Sequence, residues 1–262
     1  MERENQSTMV EYFRDWTCDV SLAIGLLTRL PLPQPDGALP QGFARAQRAF
    51  PLVGAVIGLL IGLFDRAMLG IGIPALAASA LALGAGAGLT GAMHEDGLAD
   101  VADGFGGGRD RAAKLLIMRD SRLGTYGALV LLVSFAARMS ALASLPLAAI
   151  VPALVVAHAL ARAGIPVLAA NMPFARDDGL GAAAGRPETA SVVAAVIVAV
   201  VIAWLCLPAK AALLAIAVTA AGTAAIAVLA WRQIGGVTGD VFGAAEQVVE
   251  TAVILTLAAR LS

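Results

Sequence analysis

Three stretches of this chain run past twenty residues without one Asp, Glu, Lys, Arg or His: 67–93, 189–209 and 211–231. About twenty apolar residues suffice for a helix to cross the hydrocarbon layer of a bilayer. Over the whole chain 59% of residues are hydrophobic and 14% charged, against about a quarter charged in ordinary globular proteins. A water-soluble fold of 262 residues could not hide that much apolar surface behind so few charges. Cys18 and Cys206 are the only cysteines, which excludes a disulfide scaffold. The net charge of −1 supplies no overall basic field for nucleic acid. The expected partner is the lipid bilayer.

Less uniform stretches complete the set. The pattern predicts an all-α, multipass helical membrane protein with about six to seven transmembrane or partly re-entrant helices. It forms one integral membrane domain over residues 1–262. The spans are expected at 51–69, 75–93, 124–145, 149–170, 189–208, 211–231 and 241–259. Of these, the first and last best suit a re-entrant or half helix. The first sixteen residues lack the basic and apolar regions of a signal peptide. Residues 16–30 read as a short amphipathic or buried helix ending at Pro31 and Pro33. With the N-terminus cytoplasmic, thirteen Lys and Arg fall on that side and two, Lys210 and Arg260, on the other, as the positive-inside rule requires. Gly54, Gly58 and Gly62, and again Gly84 and Gly88, recur every four residues, the spacing that lets helix backbones approach closely.

The charges are concentrated. Segment 94–123, the longest cytoplasmic loop, contains eleven of the 37 Asp, Glu, Lys and Arg residues. On a helix, Asp96, Asp100 and Asp103 fall at i, i+4 and i+7 and so share one face. Three carboxylates on one stripe repel each other unless a cation sits among them, and hard oxygen ligands suit Mg²⁺, which commonly arrives with phosphates. The alternative is a solvated acidic face at the end of a span. The glycine run 104–108 does not fit a P-loop and reads as a flexible turn or a close backbone approach to a ligand. Downstream, Arg119 and Arg122 lie at i, i+3 and, with Lys114, could clamp a phosphate opposite the carboxylates. The alternative for the arginines is ordinary positive-inside flanking charge, which leaves Asp120, Gly124 and Gly127 unexplained.

Arg29 and Arg48 each precede a proline-containing entry to a helix. Glu246 and Glu250 share a helical face inside the last span, and Arg138, His158 and Arg162 also lie at membrane depth. Ionisable groups there are either functional or paired between spans. His94 alone reads as structural.

Three blocks carry a resemblance to a known family: His94–Gly104 (HEDGLADVADG), Met118–Gly127 (MRDSRLGTYG) and Gly235–Asp240 (GGVTGD). With Thr28–Pro33, Phe50–Gly54, Pro173–Arg176 and Gly179–Gly181, they resemble the cobalamin synthase family, the adenosylcobinamide-GDP ribazoletransferases, over roughly residues 22–250. The resemblance implies a multipass protein of the bacterial inner membrane that uses Mg²⁺. The reaction it implies joins adenosylcobinamide-GDP to α-ribazole or its 5′-phosphate and releases GMP. On that basis Asp96, Asp100 and Asp103 are the expected metal ligands. Arg119 and Arg122 neutralise phosphate, and Glu95 or Asp240 is the general base. Lys114, Arg29, Arg48, Asp120, Gly124, Tyr126 and Arg176 are the expected substrate contacts. Self-association is left open.

Two other readings compete. A CDP-alcohol phosphotransferase shares a membrane setting and a carboxylate stripe. Here, however, Asp100 follows Asp96-Gly-Leu-Ala where an arginine belongs, and Lys114 replaces the last aspartate of that pattern. A small-solute transporter would use Glu246, Glu250, Arg138 and Arg162 as a relay, but the spans show no internal repeat.

Overall fold

The computed structural model describes the backbone of residues 2–31 and 40–261 and, outside 2–14, 40–42 and 180, the side chains. Its elements are α1 (Glu2–Leu27), α2 (Pro40–Ala46), a 3₁₀ turn (Gln47–Ala49), α3 (Phe50–Gly70), α4 (Ala75–Thr90), α5 (Met93–Gly107) and α6 (Arg111–Ile117). There follow α7 (Thr125–Ser144), α8 (Leu147–Asn171), α9 (Leu180–Ala183), α10 (Thr189–Cys206), α11 (Ala209–Ile234) and α12 (Gly239–Leu261). Among the described residues, six stretches are long and apolar enough to cross a membrane: Phe43–Gly70, which includes α3, and α7, α8, α10, α11 and α12. Large apolar side chains such as Leu60, Leu63, Leu132, Ile197 and Leu205 stay exposed on their outer faces, as lipid contact requires.

The structure corrects the expected spans at both ends and in between. The first and last are long continuous helices. The broken one is 75–93: α4 has 16 residues, short for about 30 Å of hydrocarbon, and the chain then bends by 93° into α5. The hinge is Gly91 and Ala92, both left-handed at φ 71° and 55°. Ala92 is the one positive-φ residue other than glycine among the described residues, a local cost of about 1 kcal/mol or more that the surrounding contacts must offset. Segment 94–123 is accordingly two helices and their connections, where the charge pattern suggested a loop. The N-terminal helix is longer than the expected 16–30. It stops at Leu27, before Pro31, and Pro33 lies outside the described residues.

The two central helices are α8 and α12, each with 72% of its most apolar window buried. Gly54, Gly58 and Gly62 seat α3 directly on α8: a β-carbon at the first two would overlap the carbonyls of His158 and Leu154. That stripe packs as expected. Gly84 and Gly88 do not, since a β-carbon at either would meet nothing within 4 Å. Gly86 makes the close approach there, against Ile61.

Candidate active site

Helix α5 lies outside the six spans and across the first turns of α7 and α12, and it is anchored at both ends. At its C-terminal end Asp103 accepts from the Gly124 N–H (2.7 Å) and the Gly127 N–H (2.9 Å). It thereby satisfies two otherwise unpaired donors at the start of α7. A β-carbon on either glycine would overlap that carboxylate. Near its N-terminal end Gly97 faces the Asp240 backbone and Gly243, and Gly243 faces His94. Gly97 and Gly243 thus allow backbone contact between α5 and α12, and Gly124 and Gly127 make room for the Asp103 carboxylate.

The Gly235–Asp240 block has a reason for each residue. Gly235 ends α11 in the left-handed conformation. A side chain at Gly236 would strike the Pro173 carbonyl. Val237 forms an isolated bridge with the 173–175 segment: its N–H donates to Pro173 O (2.9 Å) and its carbonyl accepts from Ala175 N (2.8 Å). The Thr238 Oγ1 accepts from Val241 N (3.3 Å), an N-cap for α12. Gly239 packs on Gly181. Asp240 then meets Arg176 at 3.1 Å and accepts from the Thr238 hydroxyl at 3.2 Å.

This places Asp240 with the aspartate face of α5. Asp96 is exposed, and Asp100 and Asp103 are half-buried. Burial pushes the Asp100 carboxyl up to about 7, helped by the charges of Asp96, Asp240 and Asp103, while Arg176 pulls the other way. Arg176 in turn lies 3.8 Å from Asp178, which holds Arg119 at 2.5 and 2.6 Å. Alternating charges thus run Asp240–Arg176–Asp178–Arg119. No pattern in the sequence singles out Asp178, one of two adjacent aspartates between helices.

Several expected residues have other partners. Arg119 and Arg122 do not form one clamp, because Arg122 is 88% exposed and pairs with Asp120 (2.6 Å) in its own turn. That pair holds the Asp120 carboxyl down at about 2. Lys114 Nζ donates to Gln233 Oε1 on α11. Arg48 is committed to Asp19 (2.6 Å) and lies over the Trp16 ring at 4.4 Å. Arg29 stacks on Gly91 at the hinge. The Tyr126 ring lies against Gly106. Glu95 is turned about 100° from Asp96 around α5 and lines a small interior cavity with Arg138, His158, Arg162 and Gln247.

Around that cavity the intramembrane charges are paired. Arg138 binds Glu250 (2.7 Å) and Arg162 binds Glu246 (2.5 Å). His158 Nδ1 lies 2.9 Å from Glu250 and from Arg162, and His94 Nδ1 lies 3.4 Å from Arg162 and 3.5 Å from Glu246. Among the described residues, His158, Glu246 and Glu250 bring ligand atoms within 4.8 Å of one another. Their countercharge is already the two guanidinium groups, so the trio serves to lock α5, α7, α8 and α12 in register.

Fold and site together define a multipass helical membrane protein with a carboxylate-rich, arginine-bordered site where α5 lies across α7 and α12. The chain belongs to the cobalamin-5-phosphate synthase family, whose family model matches residues 19–258. It is 45% identical over 251 residues to the adenosylcobinamide-GDP ribazoletransferase of Bradyrhizobium diazoefficiens, covering 95% of this chain and 96% of that one. It is 42% identical over 261 residues to the protein of the same name from Sinorhizobium medicae, covering 94% and 97%. To that of Mesorhizobium japonicum it is 42% identical over 246 residues, covering 93% and 94%. No solved structure matches the chain.

Proposed function

We propose that this chain transfers the adenosylcobinamide phosphoryl group from adenosylcobinamide-GDP to α-ribazole or its 5′-phosphate, with release of GMP. The site lies at the cytoplasmic face of the bacterial inner membrane. The relatives' shared name supports the reaction. The observation in the fold that carries it is the gathering of Asp96, Asp100, Asp103 and Asp240 beside Arg176 at one end of the bundle. Attack on a pyrophosphate builds charge on phosphate oxygens, so such a site works by positioning and by cationic stabilisation.

The donor set fits a divalent cation: hard carboxylate oxygens, with the Asp100 carboxyl pushed up to about 7 by burial and then by the neighbouring carboxylates. Asp96 and Asp100 would hold Mg²⁺, with Asp103 bound to α7 through both oxygens and positioning the helix that carries them. When bound, the ion withdraws charge from the pyrophosphate. Arg176 and Arg119 border the same face and neutralise phosphate oxygens. Asp240 takes the proton from the attacking hydroxyl. It faces the aspartates, whereas Glu95 lines the interior cavity. The test is substrate-dependent GMP release by the purified, lipid-reconstituted protein. Wild-type turnover that Asp100→Asn lowers at least a hundredfold at saturating Mg²⁺ supports the assignment, and near-normal turnover in that variant sinks it.

A further inference from the structure

The residues from Gly108 to Arg111 join α5 to α6, and the reaction proposed above uses none of their side chains. Their path is fixed at both ends. A β-carbon at Gly108 would overlap the Lys114 backbone and side chain, so the chain turns tightly against α6. The Asp110 carboxylate accepts from the Ala113 N–H at 2.9 Å and caps that helix. Arg111, the first residue of α6, then reaches two backbone carbonyls, 123 and 64 residues away along the chain. Its Nε donates to Ile234 O and its Nη2 to Ala175 O, both at 2.7 Å. Ile234 is the last residue of α11, so its carbonyl has no partner within the helix, and a cation there also meets the negative end of the helix dipole. Ala175 directly precedes Arg176, and its own N–H donates to Val237 O. Ile234 and Ala175 are both buried.

Resting on the reaction proposed above, we infer that Arg111 is a positioning residue. Its guanidinium clasps the turn that leads to Asp240 onto the segment that ends in Arg176, and so sets the 3.1 Å contact between those two side chains. Two simpler roles fit the geometry less well. A direct phosphate contact would have to displace two charge-assisted bonds to backbone carbonyls. A flanking charge of the positive-inside kind needs no particular partner, whereas here two nitrogens of one planar fork each meet an oxygen. A lysine ammonium lacks that fixed fork. The neighbouring tie, from Lys114 Nζ to Gln233 Oε1, also fastens α6 to α11 but reaches neither the 173–176 segment nor the turn after Gly235.

The test uses the full-length protein in lipid, with GMP release as the assay. Arg111→Lys keeps the charge and removes the fork. The expected result is a kcat lowered at least tenfold, with the KM of both substrates within threefold of wild type, because misplaced reacting groups lose rate rather than binding. In an Arg176→Lys chain the same substitution should cost less than threefold, since the contact it sets is already lost. Arg109→Gln removes a charge two residues away and should leave kcat within twofold. A raised donor KM with unchanged kcat makes Arg111 a phosphate contact and overturns the inference. So does an equal loss in Arg109→Gln, which assigns the effect to charge alone, or a loss that is fully multiplicative with Arg176→Lys, which assigns it to general destabilisation. Should Arg111→Lys fail to fold, Asp110→Ala carries the test: it keeps the guanidinium and removes the cap that places it. Its kcat should fall at least threefold, and an unchanged kcat overturns the inference. The proposed reaction fails separately, through absence of GMP release by the wild type.

Discussion

Replacing Gly97 by alanine tests whether the contact between α5 and α12 sets the site. A β-carbon there would stand 2.8 Å from the Asp240 carbonyl oxygen, 3.0 Å from Asp240 Cα and 3.2 Å from Gly243 Cα. Ordinary contact begins near 3.4 Å, so the helices must part by about 0.6 Å. All three opposing atoms are backbone, and no rotamer change relieves the overlap. Overpacking of this kind costs about 1–3 kcal/mol of stability. The displacement falls on the pair of elements that carry Asp96, Asp100 and Asp240. Since a 1 Å misplacement of reacting groups can cost about a hundredfold in rate, a shift of this size should lower kcat by about tenfold. Steady-state GMP release and thermal unfolding in detergent measure the two effects. Gly88→Ala is the control: nothing lies within 4 Å of its added carbon, and kcat should stay within twofold. A folded Gly97→Ala protein with wild-type kcat would refute the reasoning, because the close approach would then not matter to the chemistry.

Two further outcomes follow from the same geometry. Arg162→Met leaves Glu246, fully buried, without its 2.5 Å partner. It should cost about 3–5 kcal/mol, seen as a lowered unfolding midpoint that Glu246→Gln in the same chain partly restores; an unchanged midpoint in the single variant would show that the pair adds nothing. For pH, Asp100 holds a proton below about 7 that a cation must displace. Apparent Mg²⁺ affinity should therefore fall up to about tenfold per pH unit below 7, level off above it, and lose that slope in Asp100→Asn; isothermal titration across pH 6–8 measures it, and a flat wild-type profile contradicts it.

Composition alone determined the membrane, because 59% hydrophobic residues with 14% charge leave no soluble solution. Spacing determined the stripe of Asp96, Asp100 and Asp103, since helical period depends on position in the chain and nothing else. The Gly54, Gly58 and Gly62 stripe was legible for the same reason, whereas Gly84 and Gly88, with identical spacing, face open space. Spacing shows which residues share a face; a neighbour is needed to know what that face meets. The position of the broken span was likewise decided by two left-handed residues, Gly91 and Ala92. Hydropathy averages over side chains and is blind to such a hinge.

Which arginine serves which acid was decided only in three dimensions. Arg119 and Arg122 are three residues apart yet go to Asp178 and Asp120. Arg176 joins an aspartate 64 residues away, and Glu246 and Glu250 find their cations on α8 and α7. Charge pairing depends on distance and burial, and both arise only when the helices pack. The sequence determined the helices and their charged faces. The packing of one short bent helix over two others decided which of those charges make a site and which only hold it in place.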